Sequence, residues 1–232
     1  MHTGRIASTA TVALAAGHAL PAAAQPLPWL RPLLGVDTLP RDPRGVALTF
    51  DDGPHPAGTP AVLEALAAGG ATATFFLVGE QVARYPALAR EIAAAGHAIA
   101  LHGDRHRNLL RLAPWQAAAD LDRGHARIAD AVGVAPTSYR PPYGVLSAAA
   151  LAHARRRGWR TLLWSAWGRD WERRATADSI AELVTRGLRA GSVLLLHDAD
   201  HYSAAESWRA TAAALPRVLA RLASLELRTV AV

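Results

Sequence analysis

The chain contains no cysteine, so it has no disulfide and no thiolate metal site. That absence fits an oxidising or a reducing compartment equally well. Lysine is missing too, and every fixed positive side-chain charge is an arginine. Together with the abundant alanine this reads as a coding bias and carries no function. No internal repeat and no G-x-G-x-x-G motif occurs, which removes the dinucleotide-binding fingerprint. The arginines are scattered and lack interleaved aromatics, so the net charge of +6 does not point to nucleic acid. A solvated surface with some preference for anions accounts for that charge. The one apolar run near the start, 6–20, is rich in Ala and Thr and is interrupted by His18, with Pro21 just beyond it. It is a poor transmembrane helix.

What is present bounds the fold. The 232 residues are 51% apolar, enough for the core of one large α/β domain. Residues 1–24 read first as a signal peptide: Arg5 follows a short start, an apolar run comes next, and Pro21-Ala22-Ala23-Ala24-Gln25 resembles a cleavage site. The alternative is an N-terminal helix of the domain. A signal places the protein in the secreted, periplasmic or cell-envelope space, and its absence places it in the cytoplasm. The stretch 25–44, rich in Pro and Arg, reads as a linker or wrapping segment, and 45–232 as the catalytic domain.

From Val46 onward strand-like and helix-like segments alternate. Strands are expected over 46–50, 72–78, 97–101, 137–139, 159–164, 192–197 and 226–232. Helices are expected near 59–68, 80–95, 114–132, 147–157, 176–190 and 207–223. Thr59-Pro60, Ala113-Pro114 and Thr176-Ala177-Asp178 offer start signals, and Gly69-Gly70, Gly96, Gly133, Gly158 and Gly191 offer stops. Such alternation implies a parallel sheet covered by helices, either a closed or nearly closed barrel or an open doubly wound sheet. In both, chemistry belongs at the carboxyl ends of strands. The polar groups collect there: Asp51 and Asp52 after the first strand, His102 and His106 after the third, Arg140 after the fourth, Asp170 after the fifth, His197 and Asp198 at the end of the sixth.

Each cluster has its own chemistry. Two adjacent carboxylates delivered by a strand into Gly53-Pro54 repel one another, and a cation or a proton is needed to settle them. His102-Gly103-Asp104-Arg105-His106 spaces two imidazoles by four, so that both rings can meet at one point; with a carboxylate they form a set suited to a divalent metal such as zinc. Alone, the pair is weak evidence and more often a surface coincidence; joined to Asp51-Asp52, ligation is the better reading. Arg140-Pro141-Pro142-Tyr143-Gly144 is a proline-locked turn whose Tyr143 N–H could face a developing oxyanion, or it is a structural turn. Leu194-Leu195-Leu196-His197 is a buried strand ending in a histidine, a natural general acid or a simple strand cap. Asp170 could orient Arg140 or His197. Trp171 walls a groove or packs in the core. Asp198-Ala199-Asp200-His201-Tyr202 extends past the proposed acid and reads first as a polar loop, with substrate contact as the alternative.

The ordered set Thr49-Phe50-Asp51-Asp52-Gly53-Pro54, His102-x-x-x-His106, Arg140-Pro141-Pro142-Tyr143-Gly144, Asp170-Trp171 and Leu195-x-His197 resembles the NodB-homology polysaccharide deacetylases, the carbohydrate esterases of family 4. The resemblance spans roughly 45–232. It implies a distorted (β/α)7-type barrel and a metal-dependent hydrolase that removes N-acetyl groups from the amino sugars of a chitin-like or peptidoglycan-like glycan. Position by position it implies Asp51 as base and His197 as acid. Asp52, His102 and His106 become the metal ligands. Arg140 becomes the brace of Asp51, Tyr143 the oxyanion donor and Asp170 the charge-setting neighbour, while Leu195 lines the acetyl-methyl pocket. Zinc is the first expectation, with cobalt, nickel and manganese also compatible. The expected partner is an N-acetylated glycan, with no nucleic acid and no protein partner. Two departures stand out: Gly103 replaces a usual Ser or Thr, and Trp167 replaces a frequent acid. They bear on specificity more than on the chemistry. The competing readings are a deformylase or deacetylase of a lipid-linked or small sugar, and an inactive carbohydrate-binding protein on the same scaffold.

Overall fold

Strands and helices alternate along the chain, and every strand pairing is parallel. The computed structural model describes residues 16–37 and 44–232. Its strands are β1 (Val36–Asp37), β2 (Gly45–Asp51), β3 (Thr74–Leu77), β4 (Ala98–Leu101), β5 (Ser138–Tyr139), β6 (Arg160–Leu162), β7 (Ala166–Trp167), β8 (Val193–His197) and β9 (Arg228–Thr229). The helices are α1 (Leu30–Leu33), α2 (Gly58–Ala68), α3 (Gly79–Arg84), α4 (Pro86–Ala94), α5 (Pro114–Val132), α6 (Ala148–Arg156), α7 (Ala177–Thr185) and α8 (Ser207–Ser224).

The strand order is β1-β6-β5-β4-β3-β2-β8-β7, with β9 paired to the start of β2. The sheet therefore curls into an incomplete parallel barrel, as the resemblance implied. The two ends of this order do not pair with each other, yet β6 and β7 are consecutive strands. Residues 163–165 thus bridge the seam. Gln25, Pro28 and Arg31 face Trp164 and Trp167 there across a cavity of 480 Å³.

All seven residues of β2 are buried, which explains why Gly45–Asp51 shows an apolar run instead of alternation. Its neighbours β3 and β8 add Phe75, Phe76, Leu194, Leu195 and Leu196 to one continuous core. The helices seal the outside: α2 and α7 both pack on α8, and α5 packs on α3 and α4.

Several boundaries differ from expectation for identifiable reasons. The helix expected over 80–95 is two helices, because Tyr85 precedes Pro86 and is driven out of helical geometry (φ −129°, ψ 55°). Thr176 caps α7 through a reciprocal bond with Ser179, as expected. Thr59 does not cap α2. It lies inside the first turn, and the His55 ring accepts from the Ala57 and Gly58 N–H groups instead. The segment 25–44 contributes α1 and the edge strand β1, which pairs with β6. Two-residue strands such as β1 and β7 carry too few side chains to show a period. Of the apolar N-terminal stretch, 1–15 lies outside the described residues, as does 38–43 of the linker. Leu20–Ala24 forms a 3-10 turn with Pro21 and Ala24 buried.

Candidate active site

β2 delivers Asp51 in extended geometry, and the next residue breaks it. Neighbouring residues of a strand point to opposite faces, so two adjacent carboxylates can share a cavity only if the backbone turns between them. Asp52 does this with φ 79°, a left-handed conformation that costs a non-glycine residue about 1–3 kcal/mol. Both carboxylates then line one cavity of 330 Å³ at the carboxyl end of the barrel, together with His102, His106, Tyr143, Leu195, His197 and Trp171.

Asp52 Oδ1 lies 3.5 Å from His102 Nε2 and 3.3 Å from His106 Nε2. His102 Nδ1 stands 2.9 Å from the Arg140 carbonyl oxygen, which can only accept. The proton is therefore on Nδ1, and the Nε2 lone pair faces Asp52. Burial pushes the His102 ring down to about 3, with the Arg140 charge adding to it. Burial and then His102 take His106 down to about 3 as well. Both imidazoles are thus neutral, as metal ligands must be. Burial raises Asp52 to about 7, with His197 pulling against it and Asp51 reinforcing it. Its Oδ1 is buried without a hydrogen-bond partner. An orphaned carboxylate oxygen facing the Nε2 atoms of two neutral imidazoles is a donor set that fits a divalent metal.

Asp51 is held differently. The Arg140 guanidinium donates from Nη1 to Asp51 Oδ1 (2.6 Å) and to Thr49 Oγ1 (2.9 Å), and from Nε to the Leu162 carbonyl (3.1 Å). It also lies 4.0 Å from the Phe76 ring centroid. Burial raises Asp51 above the usual carboxylate range, and Arg140 opposes that rise.

His197 closes the opposite wall. Its Nδ1 stands 2.9 Å from Asp170 Oδ1, and its backbone N–H donates to Asp170 Oδ2 at 2.6 Å. The Thr211 hydroxyl donates to the same oxygen at 2.9 Å. Burial works to lower His197, but the Asp170 charge and hydrogen bond, with help from Asp52 and Asp51, raise it to about 10. Asp170 therefore serves His197 and not Arg140. Next to it, the buried Asp198 carboxylate accepts from Thr59 Oγ1 and packs against Gly53, tying the turn after β2 to the end of β8.

Tyr143 has φ 60° and ψ 5°, and its ring stands edge-on to His106 at 4.3 Å between centroids. Gly144 follows because a Cβ there would lie 2.6 Å from the Trp164 ring. Leu195 is buried and Trp171 stands edge-on to His197, so both line the cavity.

All the residues singled out in the sequence thus converge. The sequence reading missed Ser203 as a lining group, and it left Tyr202, Trp164 and Trp167 open between the cleft and a loop or core role; all four line the cavity. Tyr202 stacks on His106 at 4.4 Å, and its hydroxyl is fixed between Glu80 and Gln81. It belongs to the segment 198–202, read first as a polar loop and otherwise as a substrate contact, and lies five residues beyond His197.

Comparison with known proteins agrees with this geometry. The family model described as polysaccharide deacetylase matches residues 38–162, a little over half of the chain. The chain is 38% identical over 156 residues to a chitooligosaccharide deacetylase of Bradyrhizobium sp. (strain ANU 289), covering 67% of this chain and 71% of the relative. It is 33% identical over 187 residues to a peptidoglycan-N-acetylglucosamine deacetylase of Bacillus cereus, covering 79% and 84%. Among solved structures, a peptidoglycan N-acetylglucosamine deacetylase superposes with TM-score 0.78 at 30% identity, covering 84% of this chain and 89% of that one. A family 4 carbohydrate esterase from Streptomyces lividans in complex with acetate gives 0.72 at 34% identity, covering 80% and 91%. Motif order, parallel half-barrel and sequence match agree, and this chain belongs to the polysaccharide deacetylase family.

Proposed function

We propose that the chain hydrolyses the N-acetyl group of N-acetylglucosamine units in a chitooligosaccharide or peptidoglycan-type glycan. The observation that carries this reading is the pairing, in one cavity, of a low-pKa imidazole set around Asp52 with a separate carboxylate, Asp51, and a high-pKa imidazole, His197.

Lewis acidity toward water and toward the amide oxygen is what a divalent cation held by Asp52, His102 and His106 supplies. Asp51, tethered by Arg140, takes the proton of the attacking water, and its burial-raised basicity suits that task. The Tyr143 N–H donates to the oxygen that gains charge as the carbonyl becomes tetrahedral. His197, kept protonated by Asp170, gives its Nε2 proton to the amide nitrogen as the C–N bond breaks. Acetate and a free amino sugar result. Leu195 and Trp171 offer apolar surface for the acetyl methyl and the sugar face. A silent carbohydrate-binding descendant has no use for a complete set of base, acid and ligands, and all are present.

Zinc is the ion we infer from two imidazoles and one carboxylate, with cobalt, nickel or manganese as substitutes. We also infer export toward the cell envelope, on the basic start and apolar run of 1–24; an intact Met1 on exported protein would count against cleavage.

The test is turnover of N-acetylglucosamine oligomers and peptidoglycan fragments by metal-loaded enzyme, beside a formamido-sugar lipid. Asp51→Asn and His197→Ala are each expected to lower kcat by about 10²–10⁴. Full metal-dependent activity in both variants would refute the assignment.

A further inference from the structure

On the far side of Tyr143 from the catalytic cavity lies a second, wider groove of 470 Å³, lined by Arg107, Asn108, Arg111, Leu112 and Tyr143. The exposed Tyr143 ring is the wall shared by the two. A glycan whose reacting sugar fills the cavity can run a neighbouring unit past that ring.

The arginines around this loop divide into two groups. Arg123 pairs with Asp104 and Asp120, Arg127 pairs with Asp104 at 2.8 Å, and Arg105 lies 4.0 Å from Glu80. Arg107 and Arg111 make no ion pair among the described residues, although Asp120 feels Arg107 at longer range. Asn108 cannot act as their counter-charge. It is neutral, and its side-chain oxygen already accepts the Leu110 N–H. Two guanidiniums thus line one groove that holds no anion among the described residues, beside the site read as taking a polymeric sugar.

We propose that Arg107 and Arg111 form an acid-selective subsite that binds a carboxylate on the sugar next to the reacting one. The proposal rests on the deacetylase reading of the adjoining cavity and deepens it. A planar guanidinium matches a carboxylate with two parallel N–H···O bonds, a recognition that hydroxyl and acetamido groups of a neutral hexosamine polymer cannot reproduce. The preferred substrate is therefore a glycan alternating N-acetylglucosamine with a carboxylate-bearing sugar, such as a lactyl ether, ahead of a neutral N-acetylglucosamine oligomer of equal length. The chain's net charge of +6 favours the same encounter.

The test compares one tetrasaccharide carrying free lactyl carboxylates, its methyl ester, and the neutral N-acetylglucosamine tetramer. Wild type, Arg107→Gln, Arg111→Gln, the double variant and the Lys pair are assayed with zinc. The double variant is expected to lose about tenfold in kcat/KM on the acid, carried by KM, and to keep wild-type values on the ester and the tetramer. The Lys pair is expected to recover part of the loss. Equal losses on all three substrates, or none on the acid, would overturn the proposal. A second arm measures affinity by calorimetry on full-length Asp51→Asn protein, with and without the two Gln substitutions. A preference for acid over ester that disappears in the triple variant supports the subsite; no preference refutes it. If zinc-loaded wild type hydrolyses none of the three substrates, the deacetylase reading fails, and calorimetry still decides whether the subsite exists.

Discussion

Arg140 Nη1 and Asp51 Oδ1 lie 2.6 Å apart, with both side chains buried. The pair joins the end of β2 to the turn after β5. Burial drives each toward its neutral form, raising Asp51 and lowering Arg140, and their mutual attraction opposes both shifts. The Arg140 carbonyl, meanwhile, sets the tautomer of His102. One residue thus orients both the free carboxylate and an imidazole of the metal set.

Removing half of such a pair strands the other half. Arg140→Met is expected to destabilise the fold by about 3–5 kcal/mol, because Asp51 is left buried and unpaired. Asp51→Asn in the same chain should restore part of this, since an amide no longer needs the cation. Urea unfolding of the two single variants and the double variant measures the coupling, and strictly additive losses would contradict it.

The imidazole set predicts a metal dependence that can be read without turnover. Chelation should abolish hydrolysis and zinc should restore it, while far-ultraviolet circular dichroism stays constant because the core does not depend on the ion. His102→Ala and His106→Ala should each weaken zinc affinity by more than the roughly 10–100-fold typical of losing an outer partner. Metal titration followed by elemental analysis measures this; undiminished zinc in either variant would remove that residue from the set.

The Asp170–His197 pair gives a pH signature. His197 is held at about 10, above its ordinary value of 6.5, so the acid stays protonated through neutral pH. The associated stability is fully present below 6.5 and is lost as pH rises through about 10. Asp170→Asn removes the main raising influence. The alkaline limb of the rate profile should move to lower pH, and the stability gap to wild type should be largest in acid and close toward pH 10. Rate profiles, imidazole titration by NMR and urea midpoints check it; an unmoved alkaline limb would argue against His197 as the acid.

Gly124, in the middle of α5, has its reason in the site. A Cβ there would lie 2.7 Å from the backbone of Gly103 and Asp104, the loop between the two metal-set histidines. Backbone cannot swing aside as a side-chain tip can. Gly124→Ala is therefore expected to cost about 1–3 kcal/mol despite alanine's better helix propensity, and to weaken zinc binding by displacing His102 and His106. Thermal unfolding and zinc titration decide; a stabilised variant would show that the loop has room to move.

The candidate site was legible because its members follow strand ends in a fixed chemical order. Asp51, Asp52, His102, His106, Arg140, Asp170 and His197 could all be placed from strand–helix alternation before any distance was known. The wall residues could be named but not assigned to the cleft. Trp164, Trp167 and Tyr202 are apolar or aromatic groups whose spacing matches a packed core as well as a cleft. The edge strands β1 and β7 are too short to display a period. The break at Tyr85-Pro86 was visible in principle but was overridden by the continuous helical pattern around it.

Sequence alone settled the parallel α/β class, the identity of the chemical groups and their order along the chain. These follow from side-chain periodicity and from which residues can ligate or carry protons, and both are local properties. Tertiary structure decided which carboxylate is braced and which is left to a cation, that Asp170 serves His197, and that Arg107 and Arg111 line one groove beside Tyr143. Those outcomes depend on groups that meet only when β2, β4, β5 and β8 curl around one cavity. Burial, which reshapes every pKa in the site, exists only once the chain has closed around them.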